Sequence, residues 1–321
     1  MNAKNDICFF GLLHITKNEN VSLNFKSQND VHKILVYLKN AITLDQQLKR
    51  QGYKFVLITN EFKYLNKLLK KINYKLKIKE IKFKTFVPKN THFYACHFRV
   101  DVFRYLSSLK KKYSILLDLD VLILKKLSKI SYYRNNNINL VNDITNNVIP
   151  AYGKKKILKS LQTLDKRIKK VKWYGGDFFS GNYLFFKILY KYTKFFQKKL
   201  INNIDILSDQ TDELFMSVAI NEIKNKKKYI VKNTIDENIF TRYWNTNVKH
   251  NQKQLTYYKK FNILHIPADK IFLSNCYDRL DKNYFFRDEY FAYVCSVSNI
   301  FKKKISQIMP IKIKKIMKFF L

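Results

Sequence analysis

The sequence has few cysteines and no long hydrophobic run. Its four cysteines lie far apart and form no Cys-x-x-Cys spacing: Cys8, Cys96, Cys276 and Cys295. This distribution argues against a zinc cage and against a dithiol redox motif, and it indicates reduced thiols in a cytosolic setting. No apolar segment reaches the length that crosses a bilayer, and the first apolar run, residues 7–13, carries no signal cleavage pattern. We expect that run to form a core strand, and any membrane contact to be peripheral.

Acidic residues are also scarce compared with basic ones. The chain has 62 Lys+Arg and 24 Asp+Glu, a formal charge of +38. This charge predicts attraction to polyanions, and nucleic acid, an anionic membrane surface and phosphorylated substrates all fit. The excess is mostly lysine spread among Asn, Ile, Tyr and Phe, which an AT-rich genome also produces, so charge alone is weak support for nucleic acid. With 46% hydrophobic residues in 321, the chain is long enough for one large domain with a sizeable core.

Strand and helix patterns alternate through the first 127 residues. The predicted strands span residues 7–15, 54–59 and 76–83. The predicted helices span residues 31–51, 62–72 and 96–110. Strands that alternate with helices pair in parallel through right-handed crossovers, and ligands bind beyond the carboxyl ends of such strands.

Two acidic residues interrupt the apolar segment 113–124. Side chains alternate along a strand, so Asp118 and Asp120 are expected on one face. Like charges held side by side need a cation, a shared proton or a solvent-exposed strand end. Mg²⁺ or Mn²⁺ takes carboxylate oxygens and keeps other positions for water and substrate phosphates. We therefore predict a metal site here; the alternative is a strand end whose acids cap a neighbouring helix or meet lysines.

The pattern is less regular after residue 127. The predicted strands span residues 138–142, 183–186 and 262–266. The predicted helices span residues 157–172, 187–199 and 209–222. Three of the 6 glycines stand at positions 175, 176 and 181, which predicts a tight backbone or close approach to a ligand.

The last segment, residues 297–321, has apolar residues at three- and four-residue steps, lysines in the gaps and no acid. This pattern predicts a basic amphipathic helix, bent at Pro310. Such a helix suits an anionic membrane surface, where each nearby lysine contributes about 1 kcal/mol. A terminal helix docked on the body of the protein is the alternative.

The segment of about residues 92–125 carries a family resemblance. Asp101-x-x-Arg104-Tyr on a helix, followed by Asp118-x-Asp120 on a strand, resembles the GT-A class of nucleotide-sugar glycosyltransferases, including glycosyltransferase family 32 and the clostridial glucosylating toxins, with Val100 where that family has serine. The resemblance implies that Asp101 and Arg104 contact the sugar nucleotide. It also implies that Asp120 binds the divalent metal on the diphosphate, and that Asp118 lies near ribose, sugar and metal. The alternative for Asp101 and Arg104 is a local ion pair.

Further along, the sequence resembles glycosyltransferase family 8. Residues 179–185 are similar to its Phe-Asn-x-Gly segment, and Asp209-Gln210 to its Asp-Gln pair near the anomeric carbon. His265 stands where the family has its metal-binding histidine. Here the segment His265-Ile-Pro-Ala-Asp-Lys270 is one residue shorter and lacks the family's glycine. The resemblance implies His265 as third metal ligand and Lys270 as a diphosphate contact; a satisfied core or surface histidine is the alternative.

These residues suit transfer of a sugar from a diphosphate leaving group, which a metal and a basic side chain neutralise. Inversion of the anomeric centre needs a carboxylate base, and Asp177, Asp212 and Glu213 are available. Retention puts Gln210 or Asp209 beneath the anomeric carbon, and the sequence does not decide between the two. Trp173, Tyr174 and Asp177 suit an acceptor sugar because aromatic faces stack on sugar rings; a turn packed on the core is the alternative.

The sequence therefore predicts an α/β protein of the GT-A type with a mixed central sheet. Residues 1–296 form the transferase domain, with a nucleotide-sugar half at 1–127 and an acceptor half at 128–296, and residues 297–321 form the basic tail. The expected activity is metal-dependent transfer of a hexose from a nucleotide-diphosphate sugar to a lipopolysaccharide, capsular or other lipid-linked glycan, and UDP is the expected carrier. Mn²⁺ or Mg²⁺ is the expected cofactor. The expected location is the cytoplasmic, inner face of the membrane.

A nucleic-acid-binding protein without transferase activity is the rival hypothesis, motivated by the charge of +38. It predicts steeply salt-dependent binding and no need for Asp118 or Asp120. No helix-turn-helix, zinc finger or RNA-binding signature is recognisable, so no nucleic-acid partner is expected. A metal-dependent nuclease, the third hypothesis, needs more clustered acids than the sequence offers.

Overall fold

A computed structural model describes most of the chain. The described residues are 6–16, 30–89, 91, 93–110, 112–207, 209–246, 249–279 and 286–296. The predicted basic helix at 297–321 therefore lies outside the described residues. Within them, no helix combines the length and the apolar character needed to cross a membrane.

The strands form one large and one small sheet. The strands are β1 Ile7–Leu13, β2 Lys54–Thr59, β3 Ile78–Glu80, β4 Tyr113–Leu117, β5 Val121–Ile123, β6 Asn139–Asp143, β7 Tyr174–Gly181, β8 Val231–Asn233, β9 Phe240–Arg242 and β10 Ile263–His265. The large sheet has seven strands in the order β3-β2-β1-β4-β7-β6-β8, and the small one has the order β5-β10-β9. In the large sheet β7 is antiparallel to both neighbours, while the other pairings are parallel. This arrangement confirms the prediction of an α/β fold with a mixed central sheet.

Helices cover both faces of the large sheet. They are α1 Asp30–Lys49, α2 Phe62–Lys71, α3 Arg99–Leu106, α4 Ile130–Asn135, α5 Thr145–Tyr152, α6 Lys154–Leu164, α7 Tyr183–Asn202, α8 Asp212–Asn225, α9 Lys270–Ser274 and α10 Arg287–Cys295. Neighbouring strand residues point to opposite faces: Phe10 packs in the core with α3, α6, α7 and α8, and Phe9 in the core with α1 and α2. Strand side chains thus fill two layers, as a sheet covered on both sides requires.

The Asp-x-Asp segment is where the chain leaves the large sheet for the small one. The sequence suggested one interrupted strand over 113–124, but β4 ends at Leu117 and β5 begins at Val121 in the other sheet. Asp118 remains fixed to the large sheet because its backbone N–H donates to the carbonyl of Asp177 at 3.1 Å. The two acids therefore lie in a bend at the carboxyl end of β4.

The glycine-rich segment differs from its prediction. Residues 174–181 form a fully buried strand, β7, and no tight turn. The strand predicted at 183–186 is also wrong, because these residues begin α7: the Asn182 side chain accepts a hydrogen bond from the backbone N–H of Phe185 at 3.0 Å and caps the helix.

Candidate metal and substrate site

A cavity of about 210 Å³ opens beyond the carboxyl ends of β1 and β4. Leu12, Leu13 and His14 line it at the end of β1, and Asp118 and Asp120 line it just after β4. The opposite wall comes from later parts of the chain, including β7, the start of α8 and the end of β9. The site thus lies at the edge where ligands bind in open parallel sheets.

Strand pairing brings His265 to the acidic pair. His265 in β10 stands opposite Val121 of β5, next to Asp120. Its Nε2 lies 3.1 Å from Asp120 Oδ1 and 3.7 Å from Asp118 Oδ2. One ligand atom from each of these three residues falls within 4.8 Å of the others. The structure therefore brings together the three residues that the sequence predicted as metal ligands.

The other ring nitrogen of His265 is held by Asp177. Nδ1 lies 2.8 Å from Asp177 Oδ2, and Asp177 also accepts hydrogen bonds from Arg242 Nε at 2.7 Å and Asn142 Nδ2 at 3.0 Å. A carboxylate behind the second nitrogen is the usual way in which proteins orient a metal-binding histidine. Burial would raise the pKa of Asp177, but Arg242 and His265 outweigh it and hold the pKa well below the usual range. Asp177 is therefore suited to orienting His265 and poorly suited to acting as a base.

The donor set of Asp118, Asp120 and His265 fits a divalent cation such as Mn²⁺ or Mg²⁺. Two carboxylates and an imidazole supply oxygen and nitrogen ligands, and their position at a cavity wall leaves room for water and phosphate oxygens. Burial alone would lower the pKa of His265, but the carboxylates of Asp120 and Asp177 raise it to about 9. A metal bound at Nε2 would require this nitrogen to be deprotonated.

Lys270 completes the charge balance at Asp120. Its Nζ lies 2.8 Å from Asp120 Oδ2, and its side chain is almost fully buried. Burial would raise the pKa of Asp120, yet Lys270 and His265 hold it well below the usual range. Lys270 lines the cavity, so the ammonium predicted to contact a diphosphate stands beside the predicted metal ligands.

Two arginines each pair with two acids at the cavity. The sequence predicted no role for either of them. Arg99 is ion-paired with Asp118 and Asp212. Arg242 pairs with Asp177 and, through Nη2 at 2.7 Å, with Glu213. Both line the cavity. Arg99 lies two residues before Asp101, within the segment that carries the family resemblance, whereas Arg242 is the last residue of a three-residue strand without a motif and gave no signal.

The predicted catalytic residues lie at the start of α8, but not all of them face the cavity. Asp209, Asp212 and Glu213 line it. Gln210 is directed elsewhere, with its Nε2 donating to the carbonyl of Ile204 at 3.2 Å. Burial raises the pKa of Asp212 to about 6, partly opposed by Arg99. Burial also raises the pKa of Asp209.

The other predicted donor contacts, Asp101 and Arg104, are engaged with the chain itself. Asp101 Oδ2 accepts from the backbone N–H groups of Lys84 and Thr85 at 3.0 and 2.9 Å. Arg104 pairs with Asp101 at 3.2 Å and donates to the carbonyl of Lys82. Neither lines the cavity. These contacts anchor the segment after β3, and a direct role in donor binding stays a prediction.

The predicted acceptor residues Trp173 and Tyr174 are each 1% exposed. Trp173 Nε1 donates to Glu213 Oε2 at 2.9 Å, so this ring supports a cavity acid from behind. A buried ring has no free face for a sugar, so direct stacking by either residue has no geometric support here. The aromatic side chains that do line the cavity are Tyr37, Phe93, Tyr152 and Trp244, none of which the sequence singled out.

Comparison with known proteins gives limited similarity. No protein-family model matches the sequence, and no curated protein matches it. Among solved structures, mouse xyloside xylosyltransferase 1 in its apo form is similar over 80% of this chain and 96% of that chain, with 10% sequence identity and a TM-score of 0.45. A similarity of this degree assigns no family.

Proposed function

We propose that this protein is a GT-A-type glycosyltransferase that depends on a divalent metal and moves a hexose from a nucleotide-diphosphate sugar, with UDP as the carrier. The observation that carries the proposal is the grouping of Asp118, Asp120 and His265 within 4.8 Å at a cavity beyond the carboxyl ends of parallel strands. Carboxylate and imidazole ligands at this edge suit a metal that binds a diphosphate.

The charges around the cavity fit the chemistry of a diphosphate leaving group. A divalent metal at this site would supply electrostatic stabilisation of the diphosphate. Lys270 provides a further cation at the same position, and Arg99 orients Asp118 while it holds Asp212. The walls at Leu12, His14 and Phe93 offer apolar and aromatic surface for a nucleobase.

Activation of the acceptor hydroxyl falls to a carboxylate on the first turn of α8. Asp212 and Glu213 line the cavity, whereas Asp177 is saturated with cationic and amide partners. The pKa of Asp212, about 6, suits a general base near neutral pH. For retention, Gln210 points away from the cavity, which leaves Asp209, a cavity-lining residue, as the group that would lie beneath the anomeric carbon.

The acceptor and the location are part of the proposal. A lipid-linked, lipopolysaccharide or capsular glycan at the inner face of the cytoplasmic membrane fits the charge of +38 and the basic pattern at 297–321. In this proposal residues 1–127 bind the donor and residues 128–296 the acceptor; both parts contribute walls to the cavity.

Calorimetric titration with Mn²⁺ and UDP tests the proposal, followed by hydrolysis of a panel of UDP-sugars. We expect the wild type to bind UDP more tightly with Mn²⁺ than with EDTA, and Asp120→Asn to lose at least tenfold in Mn²⁺ affinity because a ligand oxygen is removed. Asp236→Asn is the matched control, since Asp236 is an exposed acid away from the cavity.

Failure of every UDP-sugar to bind, with Asp120→Asn indistinguishable from the wild type, would remove the UDP proposal. Other nucleotide donors would then be tested in the same way. Steeply salt-dependent binding to DNA or RNA, with the same affinity in Asp120→Asn as in the wild type, would support the nucleic-acid-binding hypothesis.

A further inference from the structure

We propose that Tyr152 and Trp244 form a platform on which a sugar ring of the acceptor stacks. Both side chains line the cavity on the wall that residues 128–296 contribute. The inference rests on the proposed glycosyltransferase function and adds to it the residues that bind the acceptor. Aromatic rings at a cavity mouth are the surfaces on which the apolar faces of sugars pack.

Trp244 is placed by the same strand that supplies a charged residue of the cavity. β9 ends at Arg242, which pairs with Asp177 and Glu213. Tyr243 turns into a separate core with Tyr258 and Leu264, and Trp244 returns to the cavity side. The indole of Trp244 is therefore two residues after Arg242, whose side chain contacts the candidate base Glu213.

Hydrogen bonds hold Trp244 and Tyr152 in position. The Gln252 side chain accepts from the backbone N–H of Trp244 at 2.6 Å and donates to its carbonyl at 3.1 Å. Asn251 and Asn147 exchange two hydrogen bonds of 2.9 Å each, which join this loop to α5. Because Tyr152 is the last residue of α5, the loop and the helix fix the two rings relative to each other.

His250 packs against both rings. It stacks on Trp244 with ring centroids 5.5 Å apart and planes 4° from parallel, and it meets Tyr152 edge-on at 5.6 Å. Tyr152 is nevertheless 43% exposed. The cluster is thus ordered before a ligand arrives, which lowers the entropy lost on binding.

The platform adjoins the acids that would act on an acceptor. Tyr152 lines the same cavity as Asp209 and Glu213. A sugar resting on the platform would present hydroxyls toward the start of α8. Leu12 and His14, proposed to face the nucleobase, come from the end of β1, whereas Tyr152 and Trp244 come from the part of the chain that carries the candidate base Glu213 and its partner Arg242, so we assign the acceptor sugar to this platform.

The chain has only 2 tryptophans, and this makes the test direct. Trp173 is 1% exposed while Trp244 lines the cavity, so a change of emission on addition of methyl hexopyranosides reports on Trp244. Emission would be titrated with a panel of these glycosides, in the presence of UDP and Mn²⁺. The variants are Trp244→Phe, Tyr152→Ala and the control Tyr132→Ala, which removes a tyrosine that is 55% exposed on α4.

We expect at least one glycoside to change the wild-type emission, Trp244→Phe to abolish the change, and Tyr152→Ala to raise the dissociation constant about tenfold. Tyr132→Ala should match the wild type. Binding of UDP, measured separately by calorimetry, distinguishes the two proposals.

UDP binding without any emission change, or glycoside affinity unaltered in Tyr152→Ala, would overturn the platform and leave the transferase proposal standing. Emission changes without UDP binding would keep the sugar site and overturn the UDP proposal.

Discussion

Charged side chains at the cavity are arranged so that every buried acid has a cationic or hydrogen-bonding partner. Arg99 joins Asp118 to Asp212, and Arg242 joins Asp177 to Glu213. An unpaired buried charge costs several kcal/mol, so these pairs are needed for folding as much as for chemistry. The network also fixes each carboxylate before substrate binds, which is the condition for electrostatic stabilisation without reorganisation.

Asp212 gives a pH-dependence prediction. Because burial raises its pKa to about 6, the carboxyl is protonated below about pH 5 and ionised above about pH 7. If the ionised form is the base, UDP-sugar turnover rises with pH through about 6 and then levels off. Initial rates of UDP-sugar turnover measured across this pH range test the predicted rise.

Asp212→Asn should lower turnover at least a hundredfold, in line with loss of a general base. Thermal unfolding of the variant checks that it is folded. If turnover of Asp212→Asn rises with pH at the same apparent pKa as turnover of the wild type, the titrating group is a different one, and this role for Asp212 is contradicted.

The strand β7 shows why glycine was concentrated in one segment. A Cβ at Gly176 would lie 2.7 Å from Asp212 Oδ2 and 2.8 Å from Arg99 Nη1, and a Cβ at Gly175 would lie 2.5 Å from Asp177 Oδ1. Because glycine has no side chain, there is room beside β7 for the charged side chains that form the ion pairs of the cavity. The sequence predicted a tight backbone or close approach to a ligand here, whereas the groups that approach Gly175 and Gly176 are the protein's own charged side chains.

Gly176→Ala is expected to separate Arg99 from Asp212 and to reduce UDP-sugar turnover at least tenfold, with a loss of about 1–3 kcal/mol in the free energy of unfolding. Gly181→Ala is the matched control in the same strand, because its Cβ would meet Asn139 and Phe185 instead. Urea unfolding and turnover per folded molecule would be measured for both.

Gly181→Ala should lose stability and keep turnover per folded molecule. Equal turnover losses in the two variants would mean that a general disturbance of β7, and not the Arg99–Asp212 pair, is responsible.

The charge of the molecule as a whole has its own consequence. With a formal charge of +38, repulsion among surface lysines opposes the compact state, and salt screens it. We expect the midpoint of thermal unfolding to rise by several degrees between about 0.02 and 0.3 M NaCl. Scanning calorimetry at a series of NaCl concentrations measures this midpoint.

The same titration with NaF separates screening from specific binding of chloride. Equal rises in both salts are expected from screening. A midpoint that falls or stays constant would show that surface ion pairs, such as that of Arg167 with Glu222, outweigh the repulsion.

Individual elements show how far local pattern predicts structure. The predicted strand at 54–59 matches β2 at both ends, and the helix predicted at 31–51 is observed at Asp30–Lys49. By contrast, the strand predicted at 76–83 is reduced to Ile78–Glu80, and the helix predicted at 96–110 becomes a 3-10 helix followed by α3. Alternation and 3.6-residue periodicity are local signals, whereas capping and packing set where elements end.

The sequence alone determined the alternation of strands and helices, the class of fold and the position of Asp118 and Asp120 at a strand end, because these follow from hydrophobic spacing within short segments. Only the tertiary structure placed His265 against Asp120, 145 residues away, and Arg99 against Asp212, 113 residues away. It alone buried Trp173 and left Tyr152 and Trp244 at the cavity. These contacts depend on strand order and register between distant segments, and spacing along the chain does not encode either.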